Sequence, residues 1–202
     1  GKNFGYHVIY KSFLKNKKYK LKGFSFKSKK KGKIKIPKNV KLYSNWRELI
    51  LDKTINAVAV AAPPILHKSI IKFAIKNNKH VFCEKPFTCS YKEANFICNL
   101  IKKKKKISHM VNYEFAEIDA FLFLKKKIIK NININKIYLN WFINISKRSK
   151  TNWKENHSKG GGVIFNYVCH AIYYLEFLFG KIASIQTSIF LEKTNKVKIL
   201  KG

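Results

Sequence analysis

The sequence predicts an α/β protein, with a parallel-sheet domain over residues 1–112 and a partial α+β domain with an open, mostly antiparallel sheet over residues 113–202. Two observations support this prediction. In the first half, short apolar runs alternate with segments of helical periodicity, the pattern of parallel strands joined by right-handed crossover helices. After Tyr113 the order changes to a helix, a long alternating strand, an apolar helix and a further strand.

Local signals mark the helices of the first domain. Asn45 precedes Glu48, and Ser90 precedes Glu93, at the three-residue spacing of a capping box. Lysines follow the second of these helices, where positive charge is favourable at a helix C-terminus. Helices are predicted over Tyr6–Asn16, Trp46–Leu51, Ile65–Asn77 and Ser90–Lys104.

Apolar runs mark the strands of the first domain. The run Ile55–Ala62 is continuous and flanked by Asp52 and a Pro-Pro pair, and its length and β-branched residues lead us to expect a strand buried on both faces. Lys27–Asn39 is a lysine-rich loop. The other strands are predicted over Tyr19–Phe26, His80–Cys83 and Ile107–Tyr113.

The second domain is predicted from longer patterns. Three consecutive glycines, Gly160 to Gly162, open an apolar helix that Gly180 ends. Helices are predicted over Ile118–Ile129 and Val163–Phe179, and strands over Lys136–Ile145 and Ala183–Leu191.

Composition narrows the function classes. The chain of 202 residues has 43 basic and 10 acidic residues, for a net charge of +33, and 46% of it is hydrophobic, enough for a core. Only Arg47 and Arg148 are arginines, which disfavours specific nucleic-acid binding, because arginine provides the bidentate contacts to bases and phosphates.

Neither a leader nor a membrane-spanning run is recognisable in the sequence, and the four cysteines lack the spacing of a metal site. We expect a cytoplasmic protein with reduced cysteines and no metal.

The N-terminus contains a candidate phosphate-binding turn. Glycine at a helix start lets the backbone approach a pyrophosphate, and Gly1 and Gly5 precede the first helix. No carboxylate follows about twenty residues later, where NAD would require one; Lys27 and Ser28 suit a 2′-phosphate, so NADP is favoured over NAD. An ordinary turn and a lysine-rich background remain the alternatives.

Two further segments carry candidate catalytic groups. Glu84 and Lys85 end a strand before a proline, where the ammonium could lie over a reacting hydroxyl; a simple salt bridge is the alternative. Asn166 and His170 are four residues apart and share one face of an otherwise apolar helix. We interpret this face as a polar stripe in a cleft with the three glycines leaving space for a ligand, although a structural histidine is also possible.

Five segments in this order resemble the glucose–fructose oxidoreductase/inositol dehydrogenase (Gfo/Idh/MocA) family. They are Ala61–His67 (AAPPILH), Glu84–Phe87 (EKPF), His109–Phe115 (HMVNYEF), Trp153–Lys154 and Gly160–Gly180 (GGGVIFNYVCHAIYYLEFLFG). The resemblance implies a Rossmann domain and an α/β domain whose sheet makes homo-oligomer contacts. It also implies an enzyme that exchanges a hydride between nicotinamide and a carbinol carbon of a sugar or polyol.

The resemblance assigns roles to individual residues. Three residues would be catalytic. Lys85 would orient the substrate hydroxyl and stabilise the alkoxide, and His170, titrating near neutrality, would be the general acid/base. Asn166 cannot ionise, but it would orient the substrate by hydrogen bonding. The cofactor would be held by Gly1, Phe4, Gly5, Lys27, Ser28, Ala62, Pro63, His67, Glu84, Lys85, Asn112, Trp153 and Lys154.

Departures from the family pattern leave an alternative open. Asn166 stands where many relatives have Asp, Tyr173 where a second Asp is common, and Lys154 where Arg is frequent. The first strand and first glycine of the pattern are missing, so we expect a fragment. A non-catalytic or degenerate relative that keeps the fold is therefore the alternative to an active enzyme. The active-enzyme interpretation requires Lys85 and His170 to meet at one pocket.

Overall fold

The structure is a computed structural model that describes residues 4–26, 36–128, 133–142, 153–193 and 196–201. Contacts divide the chain into two compact units. Unit 1 comprises Gly1–Glu114 and Asn140–His170, and unit 2 comprises Phe115–Leu139 and Ala171–Gly202. Unit 1 thus includes the described residues 140–142 and 153–170 besides the predicted first domain. All of the candidate site residues that are described fall in unit 1.

Unit 1 begins with a helix and a pair of parallel strands. A π-helical turn, Gly5–Tyr10, continues as helix α1 (Lys11–Lys15). Strand β1 (Gly23–Ser25) pairs in parallel with β2 (Lys41–Tyr43). The predicted helix is confirmed and the first strand is shorter than predicted. No sequence pattern predicted β2.

The centre of unit 1 is a three-stranded parallel sheet with helices between its strands. The strand order is β3-β4-β5, which confirms the predicted parallel arrangement of these segments. The elements are α2 (Trp46–Leu51), β3 (Ala57–Val60), a 3-10 turn (Pro64–Leu66), α3 (His67–Lys76), β4 (His80–Glu84), α4 (Tyr91–Lys102) and β5 (His109–Asn112).

The capping residues predicted for α2 and α4 are confirmed in the structure. Asn45 Oδ1 accepts a hydrogen bond from Arg47 N at 2.9 Å, and Ser90 Oγ accepts one from Glu93 N at 3.3 Å. Each bond satisfies a backbone donor that has no partner within its helix. The caps therefore fix where the two helices begin.

The expectation that β3 is buried on both faces is wrong. Val58 and Val60 are buried in the core with the fully buried Ile71 and Ile97, but Ala57 and Ala59 are exposed. Helices α3 and α4 contact each other and the side of the sheet that holds the valines. A continuous apolar run therefore does not require cover on both faces when one face consists of small alanines.

The parallel strands form two sheets where the sequence analysis expected one. Among the described residues no strand joins β1 to β3. The first helix nevertheless contacts both sheets. The ring centroids of Tyr10 and Phe24 lie 5.0 Å apart, and those of Phe13 and Phe82 lie 5.9 Å apart.

Unit 2 contains helices and an antiparallel hairpin. Helix α5 (Asp119–Phe123) continues as a π-helical turn (Leu124–Ile128), and β6 (Ser188–Lys193) pairs antiparallel with β7 (Lys196–Lys201). Helix α6 (Cys169–Phe179) begins in unit 1 and ends at Gly180, whose φ is +95°.

The strand predicted over Lys136–Ile145 is not formed within its described part. Residues 136–142 have no regular secondary structure, and residues 143–145 lie outside the described residues. Alternation alone does not make a strand, because the backbone also needs a hydrogen-bonded neighbour.

No helix in the described part of the chain combines the length and the apolar character that a bilayer crossing demands.

Candidate active site

The candidate site lies at the carboxyl-terminal edge of the three-stranded sheet. Val60, Cys83 and Val111 are partners in the strand register, so the chain leaves all three strands at one level. The predicted motifs at Ala62, Lys85 and Asn112 follow these positions. This edge is where ligands bind in open parallel α/β sheets.

Glu84 is paired with an amide at this edge. Asn112 Nδ2 donates a hydrogen bond of 2.6 Å to Glu84 Oε1 across the neighbouring strands. Burial raises the pKa of Glu84, while the bond from Asn112 opposes this shift. Glu84 therefore stabilises the strand ends together with Asn112.

The Lys85 ammonium is directed to the polar segment that precedes His170. Lys85 Nζ donates a hydrogen bond of 2.9 Å to the backbone oxygen of Asn166, and the peptide bond to Pro86 is cis. The described ion pairs do not include one between Glu84 and Lys85. The simple salt bridge considered above is thus not formed.

Asn166 binds backbone groups with its side chain. Its Nδ2 donates hydrogen bonds of 2.9 Å to Lys154 O and to Gly162 O, and the residue is buried. These bonds tie the π-helical turn Ile164–Val168 to the loop before it. An aspartate could not make them, because a carboxylate accepts hydrogen bonds and donates none.

The three glycines permit close packing, where the sequence analysis expected space for a ligand. A Cβ on Gly160 would lie 2.6 Å from Pro64 Cβ, and one on Gly161 would collide with the carbonyl of Trp153. Gly160 and Gly162 also have φ values of +79° and +90°, in the region that favours glycine. The loop is therefore held against the start of α3 and against its own backbone.

His170 is buried among aromatic rings. It is 4% exposed, and its ring centroid lies 5.8 Å from that of Tyr113 and 6.1 Å from that of Trp141. Burial, followed by the charge of Lys85, lowers the pKa of His170 to about 4. The expectation of titration near neutrality is therefore wrong for this state of the chain, and the ring is neutral at pH 7.

The structure brings the two predicted catalytic groups into one neighbourhood. Lys85 binds the carbonyl of Asn166, one helical turn before His170, and its charge affects the titration of that histidine. All three residues lie in unit 1. The arrangement combines an ammonium with a neutral imidazole, two groups that suit a developing negative charge and a proton.

The remaining residues predicted to bind the cofactor differ in how exposed they are to solvent. Phe4 is exposed, Gly5 is buried, Ala62, Pro63 and Trp153 are half-buried, and Lys154 is exposed. Gly1, Lys27 and Ser28 lie outside the described residues. His67 is fully buried, and its ring nitrogens face backbone oxygens.

Two neighbours of His170 were missed by the sequence analysis. Tyr113 directly follows the end of β5, and this position could have indicated a site residue. Trp141 was assigned to the predicted strand Lys136–Ile145, and nothing in the sequence pattern connects it to His170.

The first helix begins close to the same edge. A Cβ on Gly5 would lie 2.9 Å from Ala61 Cβ, so only glycine lets the start of this helix approach the end of β3 so closely. A helix start at this edge is the arrangement that binds a pyrophosphate.

Comparison with known proteins identifies the family. Residues 2–113 match the model of the oxidoreductase family with an NAD-binding Rossmann fold, and residues 125–195 match its C-terminal alpha/beta domain. The chain belongs to the Gfo/Idh/MocA oxidoreductase family. The predicted resemblance and the fold class are thereby confirmed.

Relatives of this Gfo/Idh/MocA chain include oxidoreductases and a sugar dehydrogenase. An uncharacterized oxidoreductase of Schizosaccharomyces pombe is 30% identical over 75% of the chain and 41% of its own length. Levoglucosan dehydrogenase of Pseudarthrobacter phenanthrenivorans is 30% identical over 70% of the chain and 37% of its own length.

Solved structures agree with the fold. The complex of levoglucosan dehydrogenase with NADH and levoglucosan has a TM-score of 0.59 at 28% identity, covering 70% of this chain and 39% of that one. Biliverdin reductase from Synechocystis, solved with biliverdin and NADP+, has a TM-score of 0.69 at 19% identity, covering 92% and 58% of the two chains. The chain thus spans about two fifths of the length of the curated relatives described above.

Proposed function

We propose that this chain oxidises a carbinol carbon of a sugar or polyol, or reduces the matching carbonyl, with a nicotinamide dinucleotide. The main support is the 2.9 Å hydrogen bond from Lys85 Nζ to Asn166 O, because it holds the ammonium one helical turn from His170. An ammonium and an imidazole suit an alcohol substrate, because one can stabilise negative charge on its oxygen and the other can accept its proton. Both lie near the edge at which a Rossmann fold binds its dinucleotide.

The residues divide the proton chemistry between them. In the oxidation, a substrate hydroxyl loses its proton to a ring nitrogen of His170 while the carbon loses a hydride. Burial and Lys85 lower the pKa of His170 to about 4, so the ring is neutral at pH 7 and is a weaker base than an ordinary histidine. The Lys85 ammonium would stabilise the negative charge that develops on the oxygen.

The bound dinucleotide supplies the hydride acceptor. Gly5 and the ends of β3 and β4 would hold it at the edge described above. We further propose a preference for NADP over NAD, which rests on Lys27 and Ser28 in the sequence. Both cofactors therefore belong in every assay.

The test is turnover by the protein that carries this sequence, with NAD and NADP and a panel of sugars and polyols that includes levoglucosan. Reduced nicotinamide is followed by its absorbance. The variants are Lys85→Ala and His170→Ala, with the exposed Lys92→Ala on α4 as a matched control. We expect kcat/KM to fall by roughly 10²- to 10⁴-fold in each site variant and to stay unchanged in the control.

Unchanged turnover in both site variants would overturn the assignment of the two residues. Dinucleotide binding without turnover of any panel member would instead favour the non-catalytic relative. The presence of Asn166 and Tyr173 in place of the family carboxylates is the observation that favours this second candidate.

A further inference from the structure

His67 connects two of the turns that form the candidate site. It is the first residue of α3 and is fully buried. Its Nε2 lies 2.8 Å from Ala62 O, after β3, and its Nδ1 lies 2.9 Å from Pro86 O, after β4. A ring with both nitrogens on backbone oxygens has none left for a dinucleotide, so direct cofactor binding by this side chain does not fit the geometry.

The protonation of the ring decides which of these contacts is a hydrogen bond. Burial lowers the pKa of His67, so the ring is neutral at pH 7 and carries a single N–H. That N–H can donate to Ala62 O or to Pro86 O, but not to both at once.

The thiol of Cys83 completes the network. Its Sγ lies 3.4 Å from His67 Nδ1 and 3.2 Å from Glu84 O, and burial raises the pKa of this thiol, which keeps it protonated. When Nδ1 lacks a proton, it can accept a hydrogen bond from the Cys83 thiol; when Nδ1 carries a proton, it donates a hydrogen bond to Pro86 O. Either form of the ring is therefore bonded to the segment from Cys83 to Pro86, which contains Lys85.

We infer that His67 is a positioning residue that fixes the Lys85 turn from behind and thereby sets the place of the Lys85 ammonium beside Asn166. The inference deepens the proposed function and rests on it for its kinetic consequence. Its structural consequence, the immobilisation of Lys85, does not depend on turnover.

The structural test measures the accessibility of the Lys85 amine by competitive acylation and peptide mass spectrometry. The variants are His67→Phe, which keeps a ring but removes both nitrogens, and His7→Phe, a matched change at an exposed position of the first helix. We expect Lys85 to be acylated severalfold faster in His67→Phe than in the wild type, with His7→Phe unchanged. An unchanged acylation rate at Lys85 in a folded His67→Phe protein would overturn the inference.

The kinetic test asks whether His67 acts through Lys85. A displacement of a reacting group by about 1 Å can cost roughly 10²-fold, so His67→Phe is expected to lower kcat by about that factor with a much smaller change in KM. In the Lys85→Ala background the same substitution is expected to cause no further loss. An equal loss in both backgrounds would show a general structural role and contradict the positioning role.

A second variant covers the case in which His67→Phe does not fold. His67→Gln can bond only one of the two turns, so Lys85 should still be acylated faster than in the wild type. Acylation of Lys85 at the wild-type rate in this variant would again overturn the inference. If Lys85 is acylated faster in the His67 variants but neither the wild type nor any variant shows turnover, the positioning role of His67 is supported. That result would count against the proposed function alone.

Discussion

Asn166 donates its side-chain amide to two carbonyl oxygens, those of Lys154 and Gly162. The amide thereby closes the loop that leads into the π-helical turn before α6. Its backbone oxygen accepts the hydrogen bond from Lys85. One residue therefore connects the loop, the helix and the candidate catalytic amine.

The first prediction concerns the substitution Asn166→Asp. A carboxylate would face the oxygens of Lys154 and Gly162 with no proton to donate, and each oxygen would keep only its backbone donor, so the free energy of unfolding should fall by about 1–3 kcal/mol. Chemical denaturation at pH 7 measures the change, with Asn95→Asp at an exposed position of α4 as the control. If the two variants have the same free energy of unfolding, the side-chain amide of Asn166 does not contribute to the stability of the fold.

The sequence was enough to predict which residues form the site, but it was not enough to predict what surrounds them. Lys85, Asn166 and His170 were predicted from motifs and helical spacing, and the structure brings them together. The lowered pKa of His170 and the packing of Gly160 against Pro64 were not predicted. Both depend on neighbours that are distant in sequence, and a local pattern has no information about them.

Helix ends are the elements that local sequence determines best. Asn45 and Ser90 were predicted as caps, and both make their hydrogen bonds in the structure. Strand β2 was missed and Lys136–Ile145 was wrongly predicted as a strand over its described residues. A strand forms only where another strand lies beside it, and this is decided by the whole chain.

The second prediction follows from the cap of α4. Ser90→Ala removes the acceptor for Glu93 N and should lower the free energy of unfolding by about 1 kcal/mol. Thermal or chemical unfolding measures it against Ser69→Ala, an exposed serine within α3. A loss in the control as large as that in Ser90→Ala would contradict a specific capping effect.

At the scale of the whole molecule, the fold class and the family were predicted from the order of the elements and from five short motifs. The match to the family at both residues 2–113 and 125–195 supports that prediction. The single parallel sheet predicted for the first domain is divided into two in the structure. Among the described residues, no strand joins β1 to β3. The net charge of +33 is carried almost wholly by lysines and did not obscure the fold.

The candidate catalytic groups both lie within unit 1. Lys85 comes from the end of β4, and His170 comes from a segment more than eighty residues later that packs with the same unit. Their cooperation on one alcohol is the central claim about the molecule.

The measurement that tests this claim most directly is a double-mutant cycle of kcat/KM for nicotinamide reduction, with Lys85→Ala, His170→Ala and the double variant. Residues that act as a unit lose their effect together, so we predict that the double variant is about as slow as the slower single variant. Losses that multiply fully in the double variant would mean that the amine and the imidazole act independently, and would contradict the account.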